Sequence, residues 1–262
     1  MKNIISKILF SFYLMFSLVF AYKFKTIKPG VFTVCSDITY PPFEYIENGK
    51  IKGFDIDLFN KIAENLGYKV VYLNTAWDGI IPALLTRKCD LIISAMTITP
   101  ERAKKVDFSI PYFKASQTVL VRKDSNINSL EDLKGKKVGV QIGTTGDIYA
   151  KKLQKKYPFV LKTYETGPDA IMDLRLGRLD AVIIDNVVAY TAVKKYPNLK
   201  VAVDGLSKEY YGIAINKDNK GLKKAIDETL IKMYKNGEYD KIYESWFGKK
   251  PTWYYEIIED LK

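Results

Sequence analysis

Short apolar, β-branched runs alternate along this chain with longer stretches whose apolar residues recur every three or four positions. Residues 31–35, 69–73 and 89–93 are of the first kind, as buried parallel strands are. Between the first two, Asp55 stands where a helix cap is expected, and Leu58, Phe59, Ile62, Ala63 and Leu66 fall on one helical face that Gly67 ends. Trp77-Asp78-Gly79 then leads into a helix through residues 80–85. This rhythm predicts an open, mostly parallel α/β sheet, in which ligands sit at the carboxyl ends of the strands. Asp37, Tyr40, Trp77 and residues 94–102 all fall at those ends.

The pattern restarts after Pro111. Strands are expected over 116–121, 137–140, 160–164 and 181–184, the last ending at Asp185, with helices from Thr144 onward and over 169–176. The chain then returns through 210–215 to amphipathic helices near 222–235 and 239–247, expected to pack back on the first unit. Residues 22–113 and 212–262 form one lobe on this reading, and 114–211 a second one inserted into it. Crossings near 113–117 and 207–211 join them, an arrangement that permits hinge bending around a cleft.

Residues 94–102 end a strand and open a helix within nine positions. Thr99 suits the N-cap, and Pro100 the first helical position, where a missing N–H is harmless. Arg102 then lies in the first turn, where a cation opposes the helix dipole by about 0.3–1 kcal/mol. Two readings stand side by side: a solvated surface arginine, or a guanidinium aimed at an anion among the Ser94 and Thr97 hydroxyls and the free N–H groups of the turn.

Charge and cysteines narrow the picture. The 262 residues carry 41 Lys and Arg against 30 Asp and Glu, and no His. A basic start, an uncharged run over 8–20 and Val19-Phe20-Ala21 read as a secretory signal cleaved after Ala21. Without residues 1–21 the net charge falls from +11 to +9, and its scattered lysines suggest solubility or a membrane surface rather than nucleic acid. Cys35, late in its strand, and Cys89, opening its own, would lie about 10 Å apart in neighbouring parallel strands, so two buried thiols are expected. Two separated cysteines and no histidine argue against zinc.

Several linked motifs stand in order: Tyr40-Pro41-Pro42-Phe43-Glu44, Gly53-Phe54-Asp55-Ile56-Asp57-Leu58, Trp77-Asp78-Gly79-Ile80-Ile81-Pro82, Met96-Thr97-Ile98-Thr99-Pro100-Glu101-Arg102, Val106-Asp107-Phe108-Ser109 and Gly143-Thr144-Thr145-Gly146. Together they resemble the family 3 extracytoplasmic solute-binding proteins that deliver polar amino acids to ABC importers, over about residues 32–248. The resemblance implies a type II periplasmic-binding-protein fold, two α/β lobes joined by two hinge crossings. It implies that Arg102 takes the ligand's α-carboxylate, with the Thr97 hydroxyl and main chain and the N–H groups around Thr145, and that Asp185 takes the α-ammonium. Asp37 would face the distal part of the ligand between the Tyr40 and Trp77 rings. Ala95 would offer its carbonyl, Gln141 would reach in from the second lobe, and Met96 and Thr144 would complete the set.

Plainer roles exist for the same residues. Tyr40 and Trp77 could be core aromatics, Asp185 the N-cap of the helix near Val187, and Gly143 and Gly146 a mere turn. Asp55 and Asp57 are assigned to capping and a solvated face, and Glu44 stays open between rim and site. Arg102 and Asp185 balance the two ends of an amino acid, so Asp37 is surplus negative charge and favours a cationic side chain, arginine first and lysine next, with glutamine as runner-up. The expected partners are a free L-amino acid and a membrane permease, for a monomer with no cofactor. A sensor domain and a cyclohexadienyl-dehydratase-like enzyme are the other classes. The first would need membrane and signalling segments, which the sequence is expected to lack, and the second a free acid in the cleft.

Overall fold

A computed structural model describes residues 24–254. The proposed leader, residues 1–21, lies outside them, and no helix among the described residues is long and apolar enough to cross a membrane. Two five-stranded sheets organise two lobes.

In the first lobe the order is β4-β1-β5-β14-β6. Strand β1 (Val31–Ser36) is flanked in parallel by β4 (Lys69–Asn74) and β5 (Leu91–Ile92), while β14 (Ala214–Ile215) runs antiparallel to β5 and to β6 (Asp107–Phe108). Helix α1 (Phe54–Leu66) buries the expected Leu58, Phe59, Ile62 and Ala63, each worth up to about 1.5–3 kcal/mol for the large side chains. Gly67 closes it in the left-handed conformation. A small exposed hairpin, β2 (Tyr45–Glu47) and β3 (Lys50–Lys52), precedes α1. Helices α2 (Trp77–Leu85) and α3 (Pro100–Ala103) follow β4 and β5.

Strand β7 (Phe113–Ala115) leaves this lobe, and the second sheet has the order β10-β9-β11-β8-β12. Here β9 (Lys137–Gln141) is parallel to β10 (Val160–Tyr164) and β11 (Ala181–Asp185), whereas β8 (Gln117–Arg122) is antiparallel to β11 and β12 (Leu199–Val203). Helices α4 (Thr145–Lys156), α5 (Gly167–Arg175) and α6 (Asn186–Lys195) connect them. Strand β13 (Glu209–Tyr211) returns beside β7, antiparallel to it, so the two crossings form one short ribbon. Helices α7 (Lys220–Asn236) and α8 (Glu238–Phe247) pack on α1.

The cysteines depart from expectation, for they form a Cys35–Cys89 disulfide with Cα atoms 5.7 Å apart. Strand β5 begins only at Leu91, and the register partner of Cys35 is Ile92. Cys89 lies instead in a bend that Asp90 folds against β1: its N–H donates to Thr33 O (2.7 Å), and its carboxylate accepts from Thr33 N and Ile27 N (2.8 Å each). An extended chain would have carried Cys89 out of reach; the bend brings it back. The bridge closes a separation of 54 residues, for which loop entropy gives about 4 kcal/mol and native disulfides about 2–5. Cys89→Ser is therefore expected to lower the melting temperature by about 5–15 °C, at about 2–4 °C per kcal/mol for a chain of this size. A scan of the parent under reducing conditions should reproduce the loss, and an unchanged midpoint would refute it.

Candidate functional site

The cleft between the lobes is built where the parallel strands end. From the first lobe, Asp37 follows β1, Trp77 opens α2, and Ser94, Ala95 and Thr97 follow β5. From the second, Gln141 ends β9, Thr144 and Thr145 open α4, and Asp185 ends β11. Loop 40–44 completes the wall with Tyr40 and Glu44, and it is fastened to α1 through Phe54 N to Pro42 O (2.9 Å) and Asp55 N to Phe43 O (3.0 Å). Gly53 makes that approach possible: at its φ of +143°, a Cβ would stand 1.8 Å from Phe43 O.

Arg102 is buried, at 9% exposure, which removes the solvated reading. Thr99 caps α3 as expected, its hydroxyl accepting from Arg102 N (3.2 Å). The guanidinium donates to Thr97 O (2.8 Å) and, across the cleft, to Gly143 O (3.3 Å), and it lies 5.0 Å from the centre of the Trp77 ring. Trp77 thus stacks on the protein's own cation, which leaves one face fewer for a ligand. Burial pulls the Arg102 pKa down and the neighbouring Asp185 and Glu209 push it back up, so it stays cationic.

The carboxyl groups outnumber it. Asp37, Glu44 and Asp185 line the cleft, all at 7% exposure or less, and burial raises the pKa of each. Asp37 accepts from Thr39 Oγ1 (2.9 Å) and, across the cleft, from Gln141 Nε2 (2.8 Å). Asp185 is pushed up to about 6, by burial first and by Glu209 second, although Gln117, Tyr211 and Tyr40 all donate hydrogen bonds to it. It occupies the N-cap position of α6, yet its side chain makes no capping bond. Glu44 sits well above its ordinary range because it is buried and faces Asp55. Ionising each of these acids carries a desolvation cost that a cation in the cleft would offset.

Asp55 is not a cap. Gly53 takes that position, and the Asp55 carboxylate accepts instead from Ala95 N and Tyr112 Oη (2.7 Å each). It thereby holds Ala95 at a φ of +44°, a left-handed conformation costly for a residue with a Cβ.

The sequence profile of the bacterial extracellular solute-binding proteins, family 3, matches residues 32–249. The chain belongs to this family. The L-cystine-binding protein TcyJ of Escherichia coli K12 is 36% identical over 233 residues, 87% of this chain and 86% of its own. The ABC transporter arginine-binding protein 1 of the same strain is 39% identical over 216 residues, 80% of this chain and 87% of its own. A structure of an ancestral arginine-binding protein bound to arginine superposes with a TM-score of 0.80 at 48% identity, covering 83% of this chain and 98% of that one. These relatives are binding proteins, and the family is extracellular.

Within this member of the family, ten of the eleven expected site residues line one cleft. Met96 does not: its side chain is fully buried among Cys35, Ile92, Val106 and Phe108 in the first lobe. Tyr40 serves both readings, being part of the core and reaching Asp185 from the cleft wall. Thr144 caps α4 by accepting from Asp147 N (3.2 Å), and donates to Gln141 O (2.7 Å). The hydroxyls of Ser94 and Thr97 do not point their protons at a ligand's carboxylate, for they donate to the protein's own carboxyl groups, Glu44 Oε1 (2.8 Å) and Glu209 Oε2 (2.7 Å). Glu44 and Ser94 join the cleft wall, and Glu209 stands behind it, a residue that sequence reasoning passed over.

Proposed function

We propose that this protein captures a cationic L-amino acid, arginine before lysine, between its lobes and presents it to the membrane permease of an ABC importer. The observation that carries this reading is the charge balance of the cleft: three buried carboxyl groups line it and Glu209 lies close behind, against the single guanidinium of Arg102. An amino acid's own carboxylate and ammonium take up Arg102 and Asp185, so Asp37 and Glu44 are left for its side chain. A guanidinium or ammonium there would lift the desolvation cost of both, whereas a carboxylate would raise it. The arginine named for both the bacterial relative and the ancestral structure supports the same choice.

Residues 1–21 act as the cleaved leader on this reading, and the exported protein works as a monomer without a cofactor. It carries out no reaction: Asp185 is tied to three donors rather than free to protonate a leaving group. One observation favours glutamine as a second reading, because the Gln141 side-chain amide already satisfies Asp37 and a ligand amide could do the same. A relative named as the glutamine-binding protein GlnH of Bacillus subtilis is 34% identical over 227 residues.

A thermal-shift screen of the twenty amino acids at pH 7.5 tests both readings. A ligand at a hundred times its dissociation constant stabilises by about 2.7 kcal/mol, or about 5–10 °C here. Arginine and lysine are expected to give the largest shifts; a shift with glutamine alone promotes the second reading, and none with any amino acid rejects both.

The shift should also depend on pH, with a definite sign. Asp185, at about 6, binds its proton more tightly folded than unfolded, so its contribution to the stability of the unliganded protein falls as pH rises from about 4 to 6. A bound cation needs the ionised form, so the arginine-induced shift grows over the same range and shrinks on acidification to pH 5. A shift independent of pH would show that Asp185 does not meet the ligand.

A further inference from the structure

Glu209 is the first residue of β13, one of the two crossings, and pairs with Ala115 across the hinge ribbon. It is 8% exposed and does not line the cleft. One of its oxygens, Oε2, accepts from Thr97 Oγ1 of the first lobe (2.7 Å) and from Thr145 Oγ1 of the second (2.8 Å). The other, Oε1, accepts from Ser207 Oγ (2.7 Å). A hydroxyl has a single proton to donate, so both threonines direct theirs at this carboxylate and offer the cleft only lone pairs. Gln117 Nε2 donates to Thr145 Oγ1 (3.2 Å), which fixes that hydroxyl's direction from its other side.

We infer that Glu209 is a positioning residue that ties the two lobes in the closed arrangement, by accepting one hydroxyl proton from each lobe on a carboxylate carried by the hinge itself. Both threonines line the cleft in which the ligand is proposed above to bind, so the effect on ligand dissociation rests on that reading. The lobe half does not. Separating the lobes carries Thr97 and Thr145 apart, and a hinge-borne oxygen cannot follow both. Opening therefore breaks at least one of two short hydrogen bonds whatever the cleft holds. Its effect falls on how long the closed form lasts, that is on dissociation, and equally for every ligand.

The test uses Glu209→Ala, Glu209→Gln and Thr145→Val in the full chain. Small-angle scattering with no amino acid added is expected to give a larger radius of gyration for Glu209→Ala and Thr145→Val than for the parent. Glu209→Gln should match the parent, since its amide oxygen can accept from both threonines while its amino group donates to Ser207. In stopped-flow fluorescence with arginine, Glu209→Ala should raise the dissociation rate at least tenfold and leave association within twofold. The ratio of arginine to lysine affinity should hold. Identical scattering of all four proteins overturns the inference and needs no ligand, so it is separable from failure of the proposed function. Impairment of Glu209→Gln as deep as that of Glu209→Ala overturns it too, by assigning the effect to charge. A changed affinity ratio does so by placing the carboxylate on the ligand. If Glu209→Ala fails to fold, Thr145→Val decides the scattering arm alone.

Discussion

Replacing Arg102 by alanine is expected to weaken capture of every amino acid the protein takes by two to three orders of magnitude. Among the described residues the guanidinium is the only cation lining the cleft, and on the proposed reading closure leaves the ligand's carboxylate no water to turn to. Truncating one partner of a buried charge pair costs about 2–5 kcal/mol or more, which corresponds to this loss. Arg102 also donates across the cleft to Gly143 O, so the variant loses a bond between the lobes as well. The fold should tolerate the change, because burial of the cation is itself unfavourable and α3 keeps its Thr99 cap. Titration calorimetry with arginine and with lysine reads the effect directly. Binding within tenfold of the parent would mean that the carboxylate is held elsewhere.

Asp37→Asn should discriminate between ligands rather than against all of them. Asparagine keeps the shape and an accepting oxygen for Gln141 Nε2 but loses the charge. Facing a cationic side chain in a dry cleft, that charge is worth about 2–5 kcal/mol, so arginine and lysine binding should fall about a hundredfold or more. A neutral ligand such as glutamine should lose far less, since a neutral hydrogen bond contributes about 0.5–1.5 kcal/mol net. Titrating parent and variant with arginine, lysine and glutamine settles the matter. Unchanged arginine affinity would assign the side chain to Glu44 instead.

Much of the architecture was readable from pattern alone, and the omissions share physical causes. Helix α1 announced itself because Leu58, Phe59, Ile62 and Ala63 must face one way, and the strands β1, β9 and β11 because their residues are buried on both faces. The hairpin β2–β3 left no such mark: its six residues are exposed or half-buried, so no alternation distinguishes a core side. Arg102 was legible because it stood against the helix dipole, whereas Met96 followed its motif into the site and turned out to face the core. Asp55 and Glu209 escaped because an acid in the first turn of a helix or on a short polar strand has an ordinary explanation. Only their partners, Ala95 N and Tyr112 for the one, Thr97 and Thr145 for the other, reveal what each is for. The disulfide leaves no mark in the strand pattern, because it depends on the bend at residues 88–90 that carries Cys89 back to Cys35.

The ribbon of β7 and β13 is held unequally along its length. Phe113 and Tyr211, paired with each other, stack at 5.5 Å and are both clasped by Phe43, Tyr211 also by Tyr112 and Phe113 by Phe54 and Phe247. At the opposite end, Ala115 and Glu209 lead into Ser116 and Ser207, where small polar side chains meet main-chain groups. A beam clamped at one end bends near the other. On the proposed reading, flexing between the lobes is expected to fall at residues 115–117 and 207–209, with the aromatic end of the ribbon travelling with the first lobe.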